Sequence, residues 1–269
     1  MRAISVEEVT REAERLRSGV TPRELAALAG REPCLSLDGL RAGYGNMEVL
    51  HDFTLHVGRG QSLCLIGPNG AGKSTVLHSV FGFTKVFSGH MSLNGHDVTQ
   101  LSPERKLKHA GIAYILQDKS VFPQMTVEEN LLMGGYLLDS RAQARAAAER
   151  VFDANPRLAA RRRHAARVLS GGERRLLEIS RALVMQPQVL LVDEPSIGLE
   201  PRFIDMVFEI LSDLQRREGK TILMVEQNAK KGLEFADLGY VLVSGELALA
   251  DRAERLLENE EVGRLFLGG

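Results

Sequence analysis

Ser62-Leu63-Cys64-Leu65-Ile66-Gly67-Pro68-Asn69-Gly70-Ala71-Gly72-Lys73-Ser74-Thr75 is the stretch on which the fold turns. Its first five residues carry no charge and read as a buried strand, and GxxxxGK(S/T) follows at once. Gly67, Gly70 and Gly72 let the chain wrap closely enough for backbone N–H groups to point at phosphate oxygens, with Pro68, Asn69, Ala71 and Thr75 completing the loop. Lys73 would reach the β- and γ-phosphates and Ser74 would place its hydroxyl on Mg²⁺. A helix starting near Lys73 would aim its positive N-terminal end at the same anion. The pattern points to a nucleoside triphosphate; taken alone, it leaves a plain glycine-rich turn open.

At 269 residues the chain has room for one large domain or two small ones. Hydrophobic residues make up 44% and charged residues 26%, as in a globular protein that folds in water. No apolar stretch approaches the roughly 18 residues of a spanning helix, so a membrane role is expected to run through a partner. Glu7, Glu8, Glu12 and Glu14 crowd the N-terminus, which argues against an ordinary secretory signal. A net charge of −1 gives no electrostatic case for nucleic acid. Cys34 and Cys64 are the two cysteines; Cys64 in the strand before the loop reads as a buried reduced thiol, and the cytoplasm as the compartment.

Residues 1–32 differ from the rest. Val6, Val9, Ala13 and Leu16 recur at helical spacing, and Thr21-Pro22-Arg23-Glu24 is a capping box with proline at the first helical position, ending at Gly30. Two short helices follow, forming either a docking element or, the reading we favour, a frayed extension without chemistry. Strands are expected at 34–40, 53–57, 62–66, 91–94, 112–116, 189–192, 221–225 and 240–243. Helices are expected between about 118 and 185, including an alanine-rich one at 142–152 and another at 173–185, with Thr126-Val127-Glu128-Glu129 as a capping box. That order gives an α/β nucleotide-binding core with a helical insertion.

Val189-Leu190-Leu191-Val192-Asp193-Glu194-Pro195 is a continuous apolar strand ending in two carboxylates, at the end of a strand where ligands sit in open α/β sheets. Asp193 can hold Mg²⁺ through its water shell, and Glu194 can orient or deprotonate a water; two acids after a strand are also common in ordinary turns. Leu169-Ser170-Gly171-Gly172-Glu173 opens a helix, with Ser170 as N-cap and two glycines that let backbone approach an anion. By itself it is a capped helix start.

Phosphate loop, LSGGE and LLVDEP, in that order and spacing, resemble the ATP-binding cassette of ABC transporters over about 35–269. The resemblance implies a P-loop NTPase core with an antiparallel β subdomain and a helical subdomain at about 118–185, within a domain spanning 33–269. It implies that Ser170, Gly171, Gly172 and Glu173 are the signature that contacts the γ-phosphate of ATP on a second cassette, so that the working unit is a head-to-tail dimer. Gln117 matches the Q-loop, which touches Mg²⁺ and the water and contacts the membrane subunit. Tyr44 matches the aromatic that stacks on adenine; alone it would be an ordinary strand tyrosine. The implied cofactors are ATP and Mg²⁺, with Ser74, Gln117 and Asp193 at the metal and Glu194, Gln227 and Lys73 in catalysis.

Val121-Phe122-Pro123-Gln124-Met125-Thr126-Val127-Glu128-Glu129-Asn130-Leu131, Leu223-Met224-Val225-Glu226-Gln227-Asn228-Ala229 and Leu265-Phe266-Leu267-Gly268-Gly269 are similar to the F-type ATPase subunit of bacterial branched-chain amino-acid importers. That likeness implies a related second ATPase subunit, in a hetero- or homodimer, two membrane permeases and, indirectly, a periplasmic binding protein, at the cytoplasmic face of the inner membrane. Urea or amide importers and exporters are the alternatives. A DNA-repair or chromosome-organising ATPase would need a long coiled coil between loop and signature, where about 100 residues stand with no sustained heptads. A non-catalytic subunit that binds ATP without turnover is the third reading.

Three departures mark the chain. Gln227 stands where most cassettes carry a histidine; it offers an amide donor to phosphate but no positive charge, and F-type subunits also tend to have it. Glu200 replaces the aspartate common in the D-loop. Arg174 and Arg175 follow the signature and, with Arg161, Arg162, Arg163 and Arg167, make a basic face read as solvated surface.

Overall fold

The computed structural model describes residues 20–30, 33–117 and 120–267. The expected first helix lies outside them, as do Gly268 and Gly269 at the end of the C-terminal motif. Helix α1 (Pro22–Ala29) starts on the anticipated capping box: Thr21 accepts from the Glu24 N–H, and the Glu24 carboxylate accepts from the Thr21 N–H. It is no frayed tail. Leu25 is buried in the main core, and Gln61 donates to the Leu28 carbonyl at 3.2 Å, so α1 is stapled onto the sheet beneath it.

Two sheets follow. The first is antiparallel, in the order β2-β1-β4-β5, from β1 (Pro33–Tyr44), β2 (Met47–Gly58), β4 (Lys85–Leu93) and β5 (His96–Asp97). Strands β1, β2 and β4 run longer than expected because register shifts between Leu37 and Ala42, with Gly39 at φ +57°, break the alternation that sequence reading relies on. The second sheet has the order β10-β9-β3-β8-β7-β6: β3 (Ser62–Ile66), β6 (Ile112–Ile115), β7 (Val189–Asp193), β8 (Thr221–Val225), β9 (Leu238–Val243) and β10 (Glu246–Arg252). All its pairs are parallel except β10 with β9. Strands β3, β7, β8 and β9 are buried at every residue, as a sheet covered on both faces requires. Leu65 pairs with Val225, Val225 with Asp193 and Val192 with Ile115, so the carboxyl ends of four strands come into line.

Helix α2 (Lys73–Phe81) leaves the loop after β3, and α3 (Pro103–Lys108) precedes β6. A helical layer then intervenes: α4 (Val127–Gly134), α5 (Arg141–Ala154), α6 (Pro156–Ala159) and α7 (Gly171–Leu183). Val127, Leu131, Ala148, Phe152 and Leu177 form its own apolar core, distinct from the one under the sheets. Helix α7 begins two residues before the expected 173, because the capping box is set at Ser170 and Glu173. Helices α8 (Pro201–Arg216), α9 (Ala229–Phe235), α10 (Ala253–Glu258) and α11 (Glu260–Phe266) were not among the expected elements. Cys34 and Cys64 are buried free thiols, and burial pushes the Cys64 thiol far above its ordinary value.

Candidate active site

The loop 67–72 leaves β3 with positive φ at Gly67, Gly70 and Gly72. Gly67 admits nothing larger, since a Cβ there would lie 2.1 Å from the Leu242 carbonyl oxygen of β9. Gly72 at φ +99° is the N-cap of α2, so the helix opens on the loop without a side-chain cap and its first N–H groups face the loop's mouth. Lys73 is buried, and its ammonium donates to the Gly67 and Pro68 carbonyls at 2.9 and 3.0 Å. Burial lowers its pKa, and the charges of Glu194 and Asp193 work against that fall. Thr75 and Ala71 are buried in the loop's floor.

The carboxyl ends of β6, β7 and β8 bring the polar groups together around this lysine. Ser74 Oγ donates to Asp193 Oδ1 at 3.2 Å, across 119 residues of sequence. Gln117, two residues past β6, donates from Nε2 to Glu194 Oε2 at 2.8 Å. Glu194 itself sits at φ +42°, with its N–H bonded to the Val225 carbonyl at 2.8 Å. Its pKa is raised, first by burial and next by Asp193, with Lys73 opposing. A carboxylate whose proton affinity is raised by burial and that is oriented by an amide is suited to take a proton from water.

Three participants were missed by sequence reading. The Tyr114 hydroxyl donates to Asp193 Oδ2 at 2.7 Å, so both oxygens of that carboxylate are engaged. His78, one turn into α2, meets the Tyr44 hydroxyl through Nδ1 and the Tyr114 ring edge to face. Tyr44 is 40% exposed at the end of β1, so the ring is braced at its hydroxyl while its surface stays open. Glu226 is buried directly after β8, itself buried at every residue. A charge at the end of a buried strand was the available signal, since Asp193 was found by it.

The remaining expected residues lie apart. Ser170 and Glu173 close their capping box on each other, and Glu173 receives Arg161; among the described residues none of their hydrogen bonds reaches the 67–75 loop. Gly171 and Gly172 fill the first two positions of α7, and a Cβ on Gly172 would stand 2.2 Å from the Phe203 ring. Gln227 is exposed beyond β8, and its carbonyl receives the Ala229 N–H. The solvated basic face holds only in part. Arg162 pairs with Glu128 and Glu149 near the surface, but Arg175 is buried. Its Nη1 donates to Glu178 and to the Leu116 carbonyl at 2.8 Å each, gripping the backbone that enters Gln117. The helical pitch of α7 turns Arg174 outward and Arg175 inward.

A parallel core with a glycine-rich loop at the end of β3, a lysine and serine opening α2, and carboxylates at the end of β7 define a P-loop nucleotide-hydrolysing protein. A family model described as ABC transporter matches residues 50–197. The high-affinity branched-chain amino acid transport ATP-binding protein BraG of Pseudomonas aeruginosa is 41% identical over 87% of this chain and 100% of its own length. The probable branched-chain amino acid transport ATP-binding protein LivF of Archaeoglobus fulgidus is 40% identical over 85% of this chain and 96% of its own. Among solved structures, the ADP conformation of an ATP-binding cassette of an ABC transporter superimposes with a TM-score of 0.77, at 27% identity, over 88% of this chain and 99% of the other. The chain belongs to the ATP-binding subunits of the ABC transporter family. It binds nucleotide and is an ATP-hydrolysing transporter subunit. No helix among the described residues is long and apolar enough to cross a membrane, and the relatives are ATP-binding subunits of transport systems.

Proposed function

We propose that this chain powers the import of branched-chain or closely related amino acids by hydrolysing ATP in a dimer of cassettes. The cassette itself would span 33–269, with a helical arm at about 118–185 and an extension at 1–32. The observation that carries the catalytic part is the convergence of Ser74, Asp193, Gln117, Glu194 and Lys73 at aligned strand ends. The names of the relatives carry the choice of cargo.

In this reading the Tyr44 ring stacks on adenine while His78 holds its hydroxyl. Loop N–H groups of 67–75 cradle the phosphates, and Lys73 turns from the Gly67 and Pro68 carbonyls to the β/γ oxygens, exchanging two neutral acceptors for anionic ones. The Ser74 hydroxyl and Asp193 Oδ1 form a hard-oxygen pair that suits Mg²⁺, which is ordinarily held by one or two carboxylates plus phosphate oxygens. Gln117 completes that set through its amide oxygen while its Nε2 orients Glu194. Bound Mg²⁺ supplies charge neutralisation on the phosphates. Glu194 takes the proton of the attacking water, and Gln227 donates an amide N–H to the γ-phosphate. Ser170–Glu173 do not meet this chain's own loop; with the Ser170 and Glu173 N–H groups engaged in the capping box, the Gly171 and Gly172 N–H groups that open α7 would cap ATP on a second cassette.

The permease partner fits one surface in particular. Phe83, Leu116, Phe122, Met133 and Tyr136 are exposed and line a groove of about 380 Å³ between the sheet and the helical layer. Leu116 immediately precedes Gln117, so a permease segment seated there presses on the residue that orients Glu194. The chain would thereby sit peripherally on the cytoplasmic face of the membrane. Native purification with mass spectrometry tests the assembly: a second cassette and two permeases should accompany the chain, and recovery of nucleic acid in their place would overturn it. Transport of radiolabelled leucine by the reconstituted complex tests the cargo, and uptake of urea or an amide in its place would reassign it.

A further inference from the structure

Glu226 follows β8 with only 2% of its surface exposed, a position where an unpartnered carboxylate is costly. Its carboxylate is fully engaged. Oε1 accepts the Ser196 hydroxyl at 2.7 Å and the Asn228 N–H at 3.0 Å, and Oε2 accepts the Ser196 N–H at 3.3 Å. Its stem is pinned from behind by α9: a Cβ on Gly232 would stand 3.0 Å from Glu226 Cβ and 2.6 Å from Cys64 Sγ. The side chain therefore has one place to go.

What it holds gives the position its meaning. Ser196 lies two residues after Glu194, and Asn228 lies one residue after Gln227. Glu194 adopts φ +42°, a region residues with a Cβ rarely occupy. Such a conformation persists only where the surroundings over-determine it. On the upstream side, the Glu194 N–H is bonded to Val225. On the downstream side, Glu226, the next residue after Val225, grips Ser196 by both its N–H and its hydroxyl.

We propose that Glu226 is a positioning residue that locks the turn 194–196 and the loop 226–228 into one unit, fixing Glu194 and Gln227 relative to each other. The proposal rests on Glu194 being the base. Glu226 acts through the backbone that carries the two residues assigned to water and γ-phosphate.

The test is phosphate release by the intact transporter complex across an ATP titration, with thermal melting of the same samples. Glu226→Ala should lower kcat about tenfold while leaving the KM for ATP within about twofold. Glu226→Gln keeps Oε1 as the acceptor for the Ser196 hydroxyl and the Asn228 N–H but turns an amide NH2 toward the Ser196 N–H, and should recover part of that loss. Ser196→Ala should lose about threefold, and Ser196→Ala with Glu226→Ala should fall no further than Glu226→Ala, because both remove one link. Losses that multiply, or a change confined to KM, overturn the proposal. Should Glu226→Ala not fold, Ser196→Ala decides alone: a lower kcat at unchanged melting temperature supports the link, and a wild-type kcat overturns it. Glu194→Gln is run beside them, since full turnover there removes the role of Glu194 itself.

Discussion

Replacing Lys106 by Met should make the protein more stable at neutral pH, although it deletes a hydrogen bond. Lys106 has no exposed surface, and its ammonium donates to the Ser79 carbonyl near the end of α2 at 3.2 Å. Burial pushes its pKa down to about 8 from the ordinary 10.5, and the Asp97 carboxylate offsets only part of the fall. At pH 7 the folded chain therefore keeps a charge that the unfolded chain solvates better, at a cost on the order of 3 kcal/mol. Methionine removes that cost and fills a similar volume. Against it stands the lost hydrogen bond, about 1 kcal/mol, while the Ser79 carbonyl keeps the Gly82 N–H at 3.1 Å. A net gain of about 2 kcal/mol remains.

The pH dependence carries the sign. Between about pH 8 and 10.5 the unfolded chain binds a proton that the folded wild type has released, so wild-type stability rises with pH in that window. The Lys106→Met chain lacks the group, so its advantage should shrink as pH climbs. Urea unfolding of both chains at about pH 7 and about pH 10, followed by circular dichroism, measures the difference; other groups titrate in both chains and cancel. A less stable variant at neutral pH, or a gap that does not narrow with pH, would refute the reasoning.

Other perturbations follow from single contacts. Gly172→Ala forces a methyl into the Phe203 ring, 2.2 Å away, and should cost about 2 kcal/mol in thermal melts; adding Phe203→Leu should recover part of it. Tyr114→Phe removes the 2.7 Å hydrogen bond to Asp193 and should raise about tenfold the Mg²⁺ concentration needed for half-maximal phosphate release, the equivalent of about 1.5 kcal/mol of lost positioning. Arg175→Leu strands the buried Glu178 carboxylate and should cost about 3 kcal/mol in urea unfolding, with Arg175→Leu plus Glu178→Leu restoring most of it.

The sequence made some features plain because their physics is local. The capping boxes at Thr21 and Thr126 and the N-cap at Ser170 each close within four residues and stand as read, and at Ser170 the Glu173 carboxylate completes a third box. The loop 67–75 was plain because a chargeless strand, three glycines and a lysine leave few other uses. Tyr114, Arg175 and Glu226 were hidden because their partners lie 79, 59 and 30 residues away and exist only once β6, β7 and β8 align. Arg175 shows the limit well: it belongs to a run of arginines that composition assigns to the surface, and only the rotation of α7 turns it inward. Helix α8 was missed although proline at its first position is a helix-start signal.

The most direct test of the central claim is steady-state phosphate release by the transporter complex carrying Glu194→Gln, measured beside binding of a fluorescent ATP analogue. Glutamine keeps an acceptor for the Gln117 amide that now meets Glu194 at 2.8 Å, so the site's shape should survive while the base is lost. The expected result is ATP affinity within about threefold of wild type and turnover reduced at least about a hundredfold. Turnover near the wild-type rate would contradict the assignment of Glu194.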